Sequence, residues 1–122
     1  EGINYIYEAS RNSPLDFYLT VPSCVPAIKG FETYGAKITA KDIASLLNSE
    51  GVVGLAEVMN FPGVIYGDEE ILNKIKVAGN KVVDGHAPGL SGNQLNASLS
   101  AGVLSDHECI TADEALEKVN RG

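Results

Sequence analysis

Three side chains that could bind a metal ion stand at equivalent places in this chain of 122 residues. Glu57 lies near the end of the apolar run VVGLAEV, and the only two histidines, His86 and His107, lie near the ends of KVVDGH and VLSDHE. Carboxylate oxygen and imidazole nitrogen are donors suited to Mn, Fe or Zn. A divalent ion with an open position lowers the pKa of a bound water toward neutrality. The predicted chemistry is therefore hydrolysis or hydrolytic deamination.

Each of these residues alone has an ordinary structural explanation. A histidine at a strand end is usually hydrogen-bonded in a loop, and Glu57 could pair with a buried arginine. Their shared position favours a common site. Asp84 is either a partner that orients a metal ligand or a salt-bridged structural acid, and the sequence leaves both open. Asp106 and Glu108 alternate with His107 and are predicted to face away from the site.

The elements that must position these residues alternate along the chain. Aromatic, β-branched and apolar runs predict strands over 15–21, 52–58, 81–86 and 103–108. Amphipathic spacing predicts a helix at the N-terminus and further helices over 39–51, 68–80, 91–102 and 111–122. Three of these helices begin with a capping pair, namely Thr39 with Asp42, Ser91 with Gln94, and Thr111 with Glu114.

This alternation predicts an α/β fold with a parallel β-sheet of repeated βα units. The sequence has neither GxGxxG nor a Walker motif, which argues against a nucleotide-binding doubly wound domain. Long connections after the first two strands favour a partial (β/α)8 TIM barrel formed by a single domain, 1–122. Because parallel strands end at one edge of a sheet, we expect Glu57, His86 and His107 to converge there.

Composition excludes several classes of function. With 16 acidic and 9 basic residues and a net charge of −7, the chain lacks the basic patch of a nucleic-acid-binding protein. No apolar run is long enough to cross a membrane, and no signal peptide is recognisable. Cys24 and Cys109 are far apart in sequence, which favours small, buried, reduced thiols in a cytoplasmic protein. The chain begins without methionine inside an amphipathic pattern, so we expect a piece of a longer chain.

Four segments resemble the bacterial adenine deaminases of the amidohydrolase superfamily. They are LDFYLTVPSCVPA, GLAEVMNFPGVI, VDGHAPGLSG and SDHECITADEALEKVNRG, and because they are distributed along the sequence the resemblance covers essentially the whole chain. The resemblance implies a distorted (β/α)8 barrel with a binuclear iron or manganese centre that converts adenine and water to hypoxanthine and ammonia. It further implies that Glu57 is the bridging carboxylate of the fourth strand and that His86 and His107 are ligands on the fifth and sixth. The four predicted strands would then be strands three to six.

The sequence also departs from the family pattern. The HxH pair expected on the first strand and the aspartate expected on the eighth are absent from these residues. We therefore expect the isolated chain to be inactive, with weak metal binding or none, and we expect its open sheet edges to promote homo-oligomers. The substrate-binding residues are unknown. Two alternatives stay open: another metal-dependent amidohydrolase, similar to dihydroorotases or deacetylases, and a non-catalytic half-barrel that serves in assembly. Glu57 in place of a lysine and the MNFPG loop speak against the first alternative.

Overall fold

The computed structural model describes residues 2–122, in which helices and strands alternate. The elements are α1 (Gly2–Ser10), β1 (Leu19–Val21), α2 (Ala40–Leu46), β2 (Val52–Val58), α3 (Phe61–Ile65), α4 (Glu69–Lys76), β3 (Val82–Gly85), α5 (Gly92–Ser100), β4 (Ser105–Asp106) and α6 (Ala112–Arg121). The strands form one sheet in the order β1-β2-β3-β4, and every neighbouring pair is parallel. The predicted α/β fold of βα units is confirmed, and this order is that of a partial TIM barrel.

One face of the sheet carries the main hydrophobic core. Val21, Leu55 and Val83 lie opposite one another on adjacent strands and are at most 4% exposed. Helices α2 and α4 pack on this face through Ile43 and Ile75. Burial of such side chains is the main stabilising contribution in a domain of this size.

The opposite face of the sheet is open. Val82 is 57% exposed, although its neighbour Val83 is buried in the core. Successive side chains of a strand point to opposite faces, so this exposure marks the face that carries no helix in residues 2–122. In a closed barrel, that face is the interior.

Two of the predicted helix starts form as expected. The Thr39 hydroxyl accepts a hydrogen bond from the Asp42 N–H, and the Asp42 carboxylate accepts one from the Thr39 N–H, which completes a capping box before α2. The Thr111 hydroxyl accepts from the Glu114 N–H before α6. Each contact provides a partner for a backbone donor that the helix itself leaves free.

The third predicted helix start has the expected N-cap residue but lacks the predicted capping hydrogen bond. Ser91 stands at the N-cap of α5, but its side chain makes no capping hydrogen bond. The Glu117 carboxylate on α6 instead accepts the Gly92 N–H at 2.9 Å. A carboxylate at a helix N-terminus also interacts favourably with the helix dipole, so a residue from a later element replaces the local cap.

Two predicted strands are much shorter than their sequence patterns. Pairing is limited to Leu19–Val21 in place of 15–21 and to Ser105–Asp106 in place of 103–108. Leu15 and Tyr18 are 68% and 75% exposed, and Leu104 is 65% exposed. These side chains match a strand pattern but stay largely exposed within the described residues. The MNFPG connection, predicted as a loop, contains the short helix α3, whose Asn60 cap accepts the Gly63 N–H.

Gly85 allows β3 and β4 to approach each other closely. A Cβ atom at this position would lie 2.8 Å from Val103 Cγ1 and 3.1 Å from the Ser105 carbonyl oxygen. The first distance is shorter than a van der Waals contact, and the second atom belongs to backbone that cannot rotate away. Glycine therefore keeps these strand ends adjacent. Separately, none of the helices described within residues 2–122 has the length and apolarity needed to span a membrane.

Helix α6 is fixed to two loops by Glu114. Its carboxylate accepts hydrogen bonds from the Gly89 N–H at 2.8 Å and from the Ile110 N–H at 3.0 Å. The Lys118 ammonium donates to the same carboxylate at 2.7 Å. These bonds, the one from Lys118 foremost, lower the pKa of Glu114 from 4.5 to about 2.

We expect Glu114 to contribute stability that depends on pH. Its folded-state pKa lies below the unfolded value, so its contribution is complete above the unfolded pKa and is lost as pH falls toward the folded one, from about pH 5 to about pH 2. The urea midpoint of Glu114→Gln should therefore fall well below that of the wild type at neutral pH. The two should converge in acid.

The exposed Asp113 on the same helix provides the control. Asp113→Asn should follow the wild-type pH dependence. A gap between Glu114→Gln and wild type that is as large near pH 2 as at neutral pH would contradict this role.

Candidate metal centre

The ends of three consecutive strands bring the candidate ligands together. Glu57 is the penultimate residue of β2, whereas His86 and His107 directly follow β3 and β4. The Glu57 Oε2 atom lies 2.8 Å from His107 Nε2 and 3.4 Å from His86 Nδ1. The two imidazole nitrogens are 3.5 Å apart. The carboxyl edge of the sheet therefore presents three donor atoms to one small volume.

The donor set and its spacing fit a first-row divalent ion. One carboxylate oxygen and two imidazole nitrogens lie within 4.8 Å of one another. Donors that each stand ~2.1 Å from a common ion are separated by about 3.0 to 3.5 Å. Oxygen and imidazole donors suit Mn, Fe and Zn alike. The chemistry of the donors defines this class of metal without selecting one member.

Asp84 holds His107 from the side opposite Glu57. Its Oδ2 atom lies 2.8 Å from His107 Nδ1, and its Oδ1 atom accepts the Ser105 hydroxyl proton at 2.6 Å. The hydrogen bond with Asp84 raises the pKa of His107, against a smaller opposing effect of burial, and the charge of Glu57 adds to the increase. Asp84 thus fixes both the ring orientation of His107 and the nitrogen that faces the site.

The backbone of Glu57 is tied to the neighbouring strand. Its carbonyl oxygen accepts a hydrogen bond from the Ser23 hydroxyl and a longer one, at 3.5 Å, from the Cys24 thiol. The buried ammonium of Lys74 on α4 donates to the Ser23 carbonyl at 3.0 Å. A chain of contacts therefore runs from α4 through the end of β1 to Glu57.

Other predicted residues lie around this cluster. Asp106 faces the helices and pairs with Lys118 at 2.8 Å, as its alternation with His107 predicts. Both cysteines are free, but Cys109 is exposed and Cys24 is only half-buried. The expectation of two buried thiols is wrong, because both residues lie in connections beyond the strand ends.

Sequence reasoning missed the residues that support the cluster. Ser23, Lys74 and Ser105 carry no motif, and their partners are distant in sequence. Only Ser105 had a signal, since it lies two residues before His107 on a predicted strand and therefore shares its face. Ser23 and Lys74 could be identified only from the folded structure.

Comparisons with known proteins show the family to which the chain is similar. The model of the amidohydrolase family matches residues 1–121. The chain is 57% identical over 122 residues to an adenine deaminase of Dehalococcoides mccartyi, covering 100% of this chain and 21% of that protein. It is 51% identical over 122 residues to an adenine deaminase of Archaeoglobus fulgidus, again covering 100% and 21%. An adenine deaminase of Clostridium acetobutylicum is 50% identical over 124 residues, covering 100% and 22%. The chain spans about a fifth of the length of these curated relatives.

We expect Lys74→Met to destabilise the protein by about 1–3 kcal/mol, because the Ser23 carbonyl loses its buried donor. Urea unfolding measures the change. Lys76→Met is the matched control, since Lys76 lies on the same helix but is exposed, and it should stay within about 0.5 kcal/mol of the wild type. Equal effects of the two substitutions would show that the Lys74 contact is not stabilising.

Proposed function

The chain belongs to the amidohydrolase family, and from this premise we propose that it forms the central part of the catalytic barrel of a metal-dependent adenine deaminase. The identity of 50–57% to proteins with that name supports this substrate. The observation that carries the proposal is the convergence of Glu57, His86 and His107 at the carboxyl edge of the sheet. In TIM barrels this edge carries the chemistry.

The proposed reaction is the hydrolysis of adenine to hypoxanthine and ammonia. Glu57, His86 and His107 would hold manganese or iron in a binuclear centre. The chemistry that such an ion supplies when bound is Lewis acidity, which activates water for attack. Strands β1 to β4 would be strands three to six of the barrel, and residues 1–122 would be part of one catalytic domain.

In this mechanism the residues of the chain orient the donors. Asp84 contacts the Nδ1 atom of His107 at 2.8 Å, so Nε2, the nitrogen that faces Glu57, would be the one to bind the ion. The Ser105 hydroxyl donates a hydrogen bond to the other carboxylate oxygen of Asp84. This second contact keeps the Asp84 carboxylate from rotating away from the imidazole. Ser23 fixes the main chain of Glu57 in the same manner. A preorganised donor set loses little conformational entropy when it binds a ligand.

The remaining predictions on partners and location belong to the proposal as well. The homo-oligomer is supported by apolar side chains that are exposed near both outer strands, with Tyr18 at 75% and Leu104 at 65%. Cytoplasmic location and the absence of nucleic-acid and membrane partners stay predictions. Light scattering of the purified protein measures the oligomeric state.

We expect the full-length gene product, loaded with Mn²⁺ or Fe²⁺, to release ammonia from adenine. Glu57→Gln should lower the rate at least about 100-fold, because losing a ligand costs more than the 10–100-fold typical of a residue behind a ligand. Glu69→Gln, an exposed acid on α4, should keep the wild-type rate. Dihydroorotate and an N-acetylated substrate serve as competing substrates. Turnover of either in place of adenine would favour the other amidohydrolases.

The 122 residues expressed alone should release no ammonia from adenine above the Glu57→Gln background. They supply one carboxylate and two imidazoles to the cluster, whereas a binuclear centre and its proton transfers need further groups. General acid–base assistance alone is worth about 10²–10⁴-fold in rate. Clear turnover by this segment would show that its own residues suffice for catalysis.

A further inference from the structure

The two histidines lie just outside the hydrogen-bonded part of the sheet. Strands β3 and β4 pair at Asp84 with Ser105 and at Gly85 with Asp106, and the pairing ends there. His86 and His107 are the next residues of each chain segment. The backbone ladder therefore does not fix the distance between their imidazole rings, and contacts beyond the ladder must do so.

Lys118 on α6 supplies such a contact. Its ammonium group donates to the Ala87 carbonyl at 2.9 Å and to the Asp106 carboxylate at 2.8 Å. Ala87 directly follows His86, and Asp106 directly precedes His107. One side chain thus bridges the immediate neighbours of both histidines at the point where backbone pairing stops.

The ammonium group is itself held in place. It donates a third hydrogen bond to Glu114 at 2.7 Å, and Glu114 is anchored to the backbone of Gly89 and Ile110. The Asp106 carboxylate also accepts the Glu108 N–H at 2.9 Å. We call Lys118, Glu114 and Asp106 the lysine brace.

The lysine brace is shielded from water. The side chains of Lys118, Glu114 and Asp106 are 10%, 8% and 14% exposed. An ammonium group can make three hydrogen bonds, and here all three are directed at protein oxygen atoms. Charged hydrogen bonds that are removed from water are stronger and less screened than exposed ones. The brace therefore resists displacement of the two strand ends.

We propose that Lys118 is a positioning residue of the metal centre, which holds the segments bearing His86 and His107 at the separation that lets both imidazoles face one ion. This inference rests on the proposed function, because it assigns Lys118 a role through those two ligands. It differs from the action of Asp84, which contacts an imidazole directly. Lys118 acts from the helix-covered side, through the main chain and Asp106.

A second lysine of the sheet provides a matched control. Lys81 is half-buried and donates to the Val52 carbonyl, so it also joins neighbouring chain segments. That contact lies at the amino ends of β2 and β3, away from the metal centre. Lys81→Met should therefore lower stability in the same manner as Lys118→Met without moving the histidines.

The experiment measures metal binding directly in the full-length gene product. Affinity for Mn²⁺ is determined from the electron paramagnetic resonance signal of the free ion, and ligand geometry from the visible absorption of bound Co²⁺. Lys118→Met should weaken Mn²⁺ binding by about 10-fold or more, the effect typical of a residue that orients ligands. It should also change the Co²⁺ spectrum. Lys81→Met should keep the wild-type spectrum and stay within about twofold of wild-type affinity.

The outcomes separate this inference from the proposed function. Asp84→Asn and Glu57→Gln are measured beside the lysine variants. If these two weaken Mn²⁺ binding while Lys118→Met matches Lys81→Met in affinity and spectrum, the metal centre stands and the role of Lys118 is refuted. If wild type binds no Mn²⁺ or Co²⁺, or if Glu57→Gln has no effect, the proposed function fails and this inference fails with it. Should Lys118→Met not fold, Lys118→Gln, which keeps a donor for Ala87 but lacks the charge, is measured with the same expectations.

Discussion

Parallel alignment of β2, β3 and β4 is the constraint on which the rest of the structure depends. Because these strands run in the same direction, their carboxyl ends meet at one edge of the sheet. Glu57, His86 and His107 are far apart in sequence and become neighbours only through this alignment. Gly85 permits the close approach of β3 and β4 that the cluster needs. Contacts of Ser23, Asp84 and Lys118 then fix what the alignment brings together.

One face of the sheet carries the hydrophobic core, and the other carries polar residues of the candidate metal centre. Helices α2 and α4 bury Leu55 and its neighbours on one face, where hydrophobic burial supports the fold. Asp84 lies on the open face, and its carboxylate bonds to His107 and Ser105. A polar cluster on that side avoids the desolvation cost that the same groups would meet in the core.

Sequence reasoning succeeded where local chemistry decides the outcome. The capping box of Thr39 and Asp42 and the full extent of β2 were predicted, because a cap and a continuous apolar run are local signals. The strand around His107 was predicted too long, since the pattern over 103–108 does not report how many residues find a partner. The positions of Glu57, His86 and His107 could be predicted from strand ends. The brace could not, because only the fold reveals which carbonyl and carboxylate Lys118 reaches.

The order of these residues along the chain has a consequence for biosynthesis. A ribosome releases the N-terminal part of a protein first, at about 5–20 residues per second. Glu57, His86 and His107 therefore leave the ribosome before α6, whose Lys118 and Glu114 secure the loops around them. During that interval the three side chains lie on a chain that lacks the support of Lys118 and Glu114. The proposed metal centre would therefore reach its final geometry only after α6 has been synthesised.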